Sequence, residues 1–183
     1  MDEDIERILI SQEQLSERVR GLSREIAACY PRPEEGLTIV PILAGSIIFL
    51  ADLIRQLPIK MKIGLMTVSS YPGPTTQTRG PRIMQGLDVE VSGRHVLVVD
   101  DILDTGGTLR IVQGVLRARE PASLRTVVLL RKTAKAPPDL TADFVGFDIE
   151  DQFVVGYGLD FDDHYRNLPH IAVLKQELYA ASP

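Results

Sequence analysis

Three aspartates stand beside a small-residue turn in the segment Val96–Thr108. Asp100 and Asp101 follow a run of apolar residues directly, Asp104 comes next, and the turn Thr105–Thr108 leads into apolar residues at helical spacing. An apolar run of this kind is typical of a strand buried on both faces. The pattern therefore predicts acids at the carboxyl end of a strand, followed by the first turn of a helix.

The turn itself has the composition of a phosphate site. Gly106 and Gly107 allow the backbone to approach a ligand without interference from a Cβ atom. The amides of residues 104–108 would converge near the positive end of a helix dipole, where anions bind. Thr105 and Thr108 add hydroxyl donors. We predict that a phosphate group binds here.

The carboxylates would repel a phosphate unless they had another task. They could hold sugar hydroxyls, or order a hard cation that also binds the ligand's phosphates. A sugar phosphate with a second phosphate group and Mg²⁺ would satisfy both. Two plainer interpretations remain open at this point: a solvated strand end before an ordinary helix, and a phospho-acceptor aspartate as in receiver domains.

The surrounding pattern predicts alternating strands and helices. Ser11 with Gln14 predicts a capping box at the start of a helix. Further elements are predicted as strands at Leu37–Leu43, Lys60–Val68, His95–Val99, Arg125–Leu130, Phe144–Phe147, Phe153–Val155 and Ile171–Leu174, helices from Ile47 to about Leu57 and from Leu109 to Leu116, and a loop over Ser69–Gly80. In Lys60–Val68 we expect Met61, Ile63 and Leu65 to share one face. This alternation indicates an open α/β sheet with ligands at the strands' carboxyl ends.

Composition limits the class of protein. The 183 residues suit one domain, 1–183, and the net charge of −5 disfavours nucleic acid as the main partner. Cys29 is the only cysteine, which favours a reducing compartment. The acidic start Met1–Asp4 is unlike a secretory signal, and no apolar stretch is long enough to span a membrane. We expect a cytoplasmic protein with no membrane partner.

The segment Val96–Thr108 resembles the motif that binds 5-phosphoribosyl-1-pyrophosphate (PRPP) in type I phosphoribosyltransferases. The resemblance implies that Asp100 and Asp101 hold the ribose hydroxyls and act on Mg²⁺, and that residues 104–108 surround the 5-phosphate. It further implies that Asp104 is the general base that takes a proton from purine N7.

A second block of the sequence resembles hypoxanthine-guanine phosphoribosyltransferases. It comprises Asp143–Phe147, Phe153–Asp160 and Tyr165–Pro169, and with the N-terminal region the resemblance covers almost the whole chain. It implies the type I fold, a central mostly parallel sheet flanked by helices with a small hood region. It also implies purine salvage: transfer of the phosphoribosyl group to N9 of hypoxanthine or guanine, giving IMP or GMP and pyrophosphate, by a homodimer or homotetramer.

The same resemblance implies roles for individual residues. Phe153 would stack on the purine, with the Val154 backbone at its edge, and Lys132 would donate to the 6-oxygen. Asp160 would contact both the purine and Mg²⁺, and Arg166 the pyrophosphate. A lysine ammonium has only donors, so it matches a 6-oxopurine and leaves the amino group of adenine unmatched.

One loop of the chain departs from the family pattern, and another resembles a mobile part of it. The family usually has Leu-Lys-Gly after the first core strand, whereas this chain has Leu43, Ala44 and Gly45, so pyrophosphate would contact backbone amides there without a lysine. Ser70 and Tyr71 resemble the family's mobile lid. Xanthine remains open as the acceptor, whereas the block from Phe153 to Arg166 disfavours a pyrimidine. A PRPP-sensing regulator and a non-catalytic nucleotide-binding domain also remain open.

Overall fold

The structure is a computed structural model that describes residues 1–30, 32, 36–69, 82–85 and 87–180. Its strands are β1 (Ile5–Ile10), β2 (Leu37–Leu43), β3 (Met61–Ile63), β4 (Met66–Ser69), β5 (Arg82–Gln85), β6 (His95–Leu103), β7 (Ser123–Lys132), β8 (Phe144–Ile149), β9 (Val154–Val155) and β10 (Ile171–Leu174). Its α-helices are α1 (Gln12–Ala28), α2 (Ile47–Gln56), α3 (Gly107–Arg117) and α4 (Gln176–Ala180).

The main sheet has the order β5-β4-β2-β6-β7-β8, with β3 also paired to β2. All of its pairings are parallel except that of β4 with β5. Helices cover both faces. Along β6, Leu97 and Val99 belong to the cluster packed by α1 and α2, whereas Val96 and Val98 belong to the cluster packed by α3. This confirms the prediction of a strand buried on both faces.

A smaller antiparallel sheet, which we call the hood, has the order β1-β10-β9. It joins a strand near the start of the chain to two strands near its end. Ile10, Val154, Ile171 and Val173 share the larger hydrophobic cluster with the main sheet, so the hood packs onto the same core. Burying each such side chain stabilises the fold by about 1.5–3 kcal/mol.

Helix α1 begins as the sequence predicted. The Gln14 amide donates to Ser11 Oγ (3.3 Å) and the Ser11 amide donates to Gln14 Oε1 (2.8 Å), which completes the capping box. The strand predictions for Leu37–Leu43 and Ile171–Leu174 are confirmed at the same bounds. Strands β6 and β7 run further than predicted, to Leu103 and Lys132, because both continue pairing with each other beyond the apolar runs.

The prediction of one strand over Lys60–Val68 is wrong. The Leu37 amide donates to the Lys60 carbonyl, and the Gly64 amide donates to the Ile39 carbonyl. Every second residue of β2 therefore directs its backbone N–H and C=O towards this neighbouring strand. Pro41 is the next residue in this alternation after Leu37 and Ile39, but proline has no N–H to donate. The ladder is interrupted there, and pairing resumes as β4.

The interruption also changes which side chains are buried. Ile63 is 39% exposed and Leu65 is 40% exposed, whereas Met66 and Val68 beyond the break are buried. Two strands and one α-helix have no counterpart among the predictions: β1, β5 and α4. None of the helices in the described part of the chain is long and apolar enough to cross a membrane.

Candidate active site

A cavity of about 960 Å³ opens at the carboxyl ends of β2 and β6. Its lining includes the turn 104–108 that the sequence predicts as a phosphate site, which we call the phosphate turn, and the loop after β2. Of the described residues that line it, six are aspartates, and Arg166 is the only lysine or arginine. The aspartates are Asp100, Asp101, Asp104, Asp160, Asp162 and Asp163. A phosphorylated ligand would be repelled from this lining unless cations accompanied it.

Asp100, which is buried, and Asp101, which is half-buried, form a pair near the end of β6. The Asp101 amide donates to Asp100 Oδ1 (3.1 Å), and the Ile102 amide donates to Asp101 Oδ1 (2.8 Å). Burial, and next the Asp101 charge, raise the pKa of Asp100 well above its usual range, and burial also raises the pKa of Asp101. Because burial disfavours the charged forms, hydroxyl donors or a cation supplied by a ligand would stabilise them.

The phosphate turn depends on Gly106, which has a φ of 74° and stands just before α3. Its carbonyl accepts the first helical hydrogen bond, from the Arg110 amide (2.9 Å). A Cβ at Gly106 would lie 2.3 Å from Leu140 Cδ2, so the chain after β7 packs directly against the turn. Arg110 and Asp139 fix that packing with bonds of 2.9 and 3.1 Å.

Asp104 follows the end of β6 and begins the phosphate turn, beside the end of the neighbouring strand β7. Its Oδ2 lies 3.1 Å from Lys132 Nζ. Its Oδ1 is buried and has no hydrogen-bond partner, although Lys135 Nζ is 3.9 Å away. A buried acceptor without a donor costs free energy of about 1–3 kcal/mol. Asp104 Oδ1 is therefore an unsatisfied acceptor on the same carboxylate that contacts Lys132.

Lys132 is the last residue of β7, and 7% of it is exposed. Its ammonium contacts Asp104 and also Asp151 Oδ1, at 3.1 Å each. Lys135 reaches the same oxygen of Asp151 at 2.9 Å. The structure therefore places Lys132, which the sequence singled out, as a buried cation beside the candidate base Asp104. It also brings Asp151 and Lys135 next to this pair.

Phe153 and Val154 lie at the hood, outside the lining of the large cavity. Phe153 is half-buried, and Tyr179 of α4 stacks on it with ring centroids 4.9 Å apart and an interplanar angle of 21°. Phe161 contacts its edge at 5.4 Å. Val154 is buried in β9. Tyr179 therefore covers one face of the Phe153 ring and Phe161 its edge.

The loop after β2 brings Ala44 and Gly45 to the cavity. The peptide between Leu43 and Ala44 is cis. The buried Ser46 hydroxyl donates to the Ile42 carbonyl (2.7 Å), which closes the turn before α2. A Cβ at Gly45 would lie 1.6 Å from Asp101 Oδ2, so the Asp101 carboxylate packs against this glycine.

Arg166 and Asp160 close the opposite wall. Arg166 Nη1 contacts Asp160 Oδ1 (2.8 Å) and donates to the Gly158 carbonyl (2.9 Å), while Nη2 contacts Asp163 Oδ1 (2.9 Å). Gly158 has a φ of 104°, and a Cβ there would lie 2.2 Å from the Gly45 carbonyl. The turn that carries Asp160 and the loop after β2 are therefore in direct backbone contact.

Most predicted site residues are brought together, in two groups. The phosphate turn, the acid pair, Ala44, Gly45, Asp160 and Arg166 line the cavity, and Lys132 joins them through Asp104. Phe153 and Val154 stand apart at the hood. Among the residues that the structure describes, no three carboxylate, histidine or cysteine side chains form a metal-binding group. The predicted ligands Asp100, Asp101 and Asp160 therefore do not make a complete cage.

The sequence analysis did not identify several other residues of the site. Asp151, Lys135 and Tyr179 acquire their contacts only through packing between distant segments, and Leu140 resembles any loop leucine. Asp151 had one local signal, since it precedes Phe153 by two residues. Ser70 and Tyr71 lie outside the described residues.

A glycine-rich turn stands at the N-terminus of α3, an acid pair at the end of β6, and a third acid beside a lysine. This arrangement at the carboxyl edge of a parallel sheet suits the class of proteins that bind phosphorylated sugars. Residues 10–162 match the family described as phosphoribosyl transferase domain. The chain belongs to this family.

Several relatives are similar over nearly their full lengths. The hypoxanthine-guanine phosphoribosyltransferase of Bacillus subtilis is 40% identical over 179 residues, which cover 98% of each chain. A crystal structure of a hypoxanthine phosphoribosyltransferase from Staphylococcus aureus superimposes with a TM-score of 0.90 at 38% identity, covering 98% of this chain and 96% of that one.

A hypoxanthine phosphoribosyltransferase from Trypanosoma cruzi, in complex with the product IMP, superimposes with a TM-score of 0.88 at 37% identity. That match covers 97% of this chain and 98% of the other. The type I phosphoribosyltransferase fold expected from the sequence is confirmed.

Proposed function

We propose that the protein transfers the 5-phosphoribosyl group of PRPP to N9 of hypoxanthine or guanine, giving IMP or GMP and pyrophosphate in purine salvage. The observation that carries the proposal is the pairing of Asp104 and Lys132. An unpartnered buried acceptor, Asp104 Oδ1, lies on the same carboxylate that holds the Lys132 ammonium at 3.1 Å. This acceptor and this donor match the adjacent N7–H and 6-oxygen of a 6-oxopurine.

The cavity accounts for the other substrate. The 5-phosphate binds the turn 104–108, where helix amides and threonine hydroxyls converge. Asp100 and Asp101 accept hydrogen bonds from the ribose hydroxyls. The pyrophosphate lies between the backbone amides of Ala44 and Gly45 and the Arg166 guanidinium. Support for this placement comes from the cavity lining, which includes all of these residues.

The lining also fits Mg²⁺. Asp100, Asp101 and Asp160 would supply oxygen ligands. Burial raises the pKa of Asp100 and of Asp101, so a cation beside them would stabilise their charged forms. Mg²⁺ usually binds through one or two carboxylates together with substrate phosphates and water, so a complete protein cage is not needed. When bound, the ion supplies positive charge to the leaving pyrophosphate.

The chain's own residues handle the remaining charges and the proton. Cleavage of the bond between C1 and the pyrophosphate oxygen builds positive charge on the ribose, as in other glycosyl transfers. Arg166 stabilises the negative charge that develops on the pyrophosphate. Asp104 accepts the N7 proton as N9 forms its bond to C1, and Lys132 donates to the 6-oxygen, where electron density increases.

The purine also needs protein groups that contact its ring face and its edge. Phe153 offers the ring surface opposite Tyr179, and the Val154 backbone meets the purine edge, with Asp160 near position 2. Stacking of this kind favours any flat base, so the choice of a 6-oxopurine depends on Lys132 and Asp104.

Several broader expectations belong to the same proposal. Residues 1–183 act as one phosphoribosyltransferase domain, which the shared core of hood and main sheet supports. Ser70 and Tyr71 serve as the lid. The protein works in the cytoplasm, which its free Cys29 suits, as a homodimer or homotetramer.

A base panel tests the proposal directly. With PRPP and Mg²⁺, we expect turnover of hypoxanthine or guanine, and turnover of adenine at least roughly 10²-fold slower because its amino group faces the Lys132 donors. Product formation for hypoxanthine, guanine, xanthine and adenine is measured by chromatography. Selective use of xanthine would change the assigned substrate, and turnover of none of them would favour a PRPP-sensing regulator.

Replacing Ala44 by lysine tests the pyrophosphate loop. Ala44 is exposed at the cavity wall, so the longer side chain has room. We expect Ala44→Lys to lower the KM for PRPP by roughly threefold to tenfold, because an ammonium would add a charge-assisted contact to an anion now held by amides. An unchanged KM for PRPP would exclude position 44 as a significant pyrophosphate contact.

A further inference from the structure

The ammonium of Lys132 is held between two carboxylates from different parts of the chain. Asp104 Oδ2 belongs to the segment after β6, and Asp151 Oδ1 belongs to the connection between β8 and β9. An ammonium has three donors. The hydrogen bond to Asp151 uses one of them, and the contact with Asp104 is an ion pair at 3.1 Å, so donor capacity remains for a ligand.

Asp151 connects the end of β7 to the segment that carries Phe153. It stands two residues before Phe153, and both belong to the short connection between β8 and β9. Hydrogen bonds from Lys135 and then Lys132 lower the pKa of Asp151, which keeps the carboxylate charged. Lys135 thus balances the charge of Asp151 and leaves Lys132 available to another acceptor.

We propose that Asp151 is a positioning residue, which through its hydrogen bond to Lys132 holds the ammonium at the 6-oxygen of the base and in register with the Phe153 ring. This inference rests on the proposed function, since it assigns a role to Asp151 only if Lys132 and Phe153 contact the base. Asp151 itself touches neither substrate.

The importance of the Asp151 carboxylate follows from where Lys132 would go without it. Without the Asp151 charge, the buried ammonium has Asp104 as its strongest partner, because a buried charge needs a counter-charge. Lys132 would then be held by Asp104 alone, which would draw the ammonium away from the 6-oxygen and make it compete with the N7 proton for the Asp104 carboxylate. Both base binding and proton transfer would suffer, whereas PRPP binding would not.

The chain provides a matched control. Asp148 pairs with Arg131 on the neighbouring strands at 2.6 and 2.9 Å. Its side chain is 50% exposed and that of Asp151 is 41% exposed, so Asp148→Asn and Asp151→Asn remove the same charge from similar surroundings. Asp148 lies outside the site.

We expect Asp151→Asn to lower kcat/KM for hypoxanthine by roughly tenfold, with the KM for PRPP unchanged, and Asp148→Asn to leave both parameters within about twofold. A double-mutant cycle identifies the route of the effect. If Asp151 acts through Lys132, adding Asp151→Asn to Lys132→Gln should cause no further loss.

Two results would overturn the inference: wild-type use of hypoxanthine by Asp151→Asn, or a full additional loss in the double variant. The Lys132→Gln variant separates this inference from the proposed function. If Lys132→Gln alone leaves the use and selectivity of the base unchanged, the assignment of Lys132 fails. If it impairs base use and Asp151→Asn does not, only the role of Asp151 fails.

Discussion

Asp104→Asn should retain PRPP binding and lose turnover by about 10²–10⁴-fold, the usual contribution of a general base. Asparagine keeps the shape of the side chain, and its carbonyl oxygen can still contact Lys132. It cannot accept the N7 proton as a carboxylate does. The measurement is the single-turnover rate with saturating PRPP and hypoxanthine, together with a binding isotherm for PRPP.

The control for Asp104→Asn is again Asp148→Asn, which removes one negative charge from the exposed pair with Arg131. It should have the wild-type single-turnover rate. A wild-type rate in Asp104→Asn would rule out Asp104 as the base. Loss of PRPP binding in that variant would instead assign Asp104 to the phosphate turn alone.

Gly45→Ala should reduce kcat/KM for PRPP by about 10²-fold, the scale expected when a contact group is displaced by about 1 Å. The added methyl would lie 1.6 Å from Asp101 Oδ2, so the carboxylate must move. Asp101 can rotate away without unfolding the chain. We therefore expect the loss in steady-state kinetics with varied PRPP, with a much smaller effect on the KM for the base.

Gly114→Ala provides the matched control for Gly45→Ala. Gly114 lies within α3, is exposed, and has no atom within 4 Å of an added Cβ. It should leave kinetics unchanged and stabilise the fold by up to about 1 kcal/mol, the difference in helix propensity. If Gly45→Ala has the same neutral kinetics, Asp101 does not contact the ribose.

Sequence patterns predicted those parts of the molecule whose structure is determined locally. The turn after Asp104 forms because two glycines and the start of a helix are adjacent in the chain. The capping box of α1 needs only Ser11 and Gln14. The buried run of β6 is apolar on both faces because helices cover both faces.

Predictions failed where a distant residue decides the structure. The strand expected over Lys60–Val68 is interrupted by a missing donor at Pro41, which belongs to another strand. Strand β1 has few buried residues, so its hydrophobic pattern is weak, and its identity as a strand comes from pairing with β10. Asp151 and Tyr179 likewise depend on contacts with Lys132 and Phe153.

The order of strands in the hood has a consequence for how the protein becomes active during translation. β10 is the middle strand, so β1 and β9 have no partner in the hood until residues 171–174 leave the ribosome. The phosphate turn between β6 and α3 needs only segments made earlier. A nascent chain can thus complete its sugar-phosphate half first, while Phe153 waits for the last strand, and β1 depends on one of the longest-range contacts in the molecule.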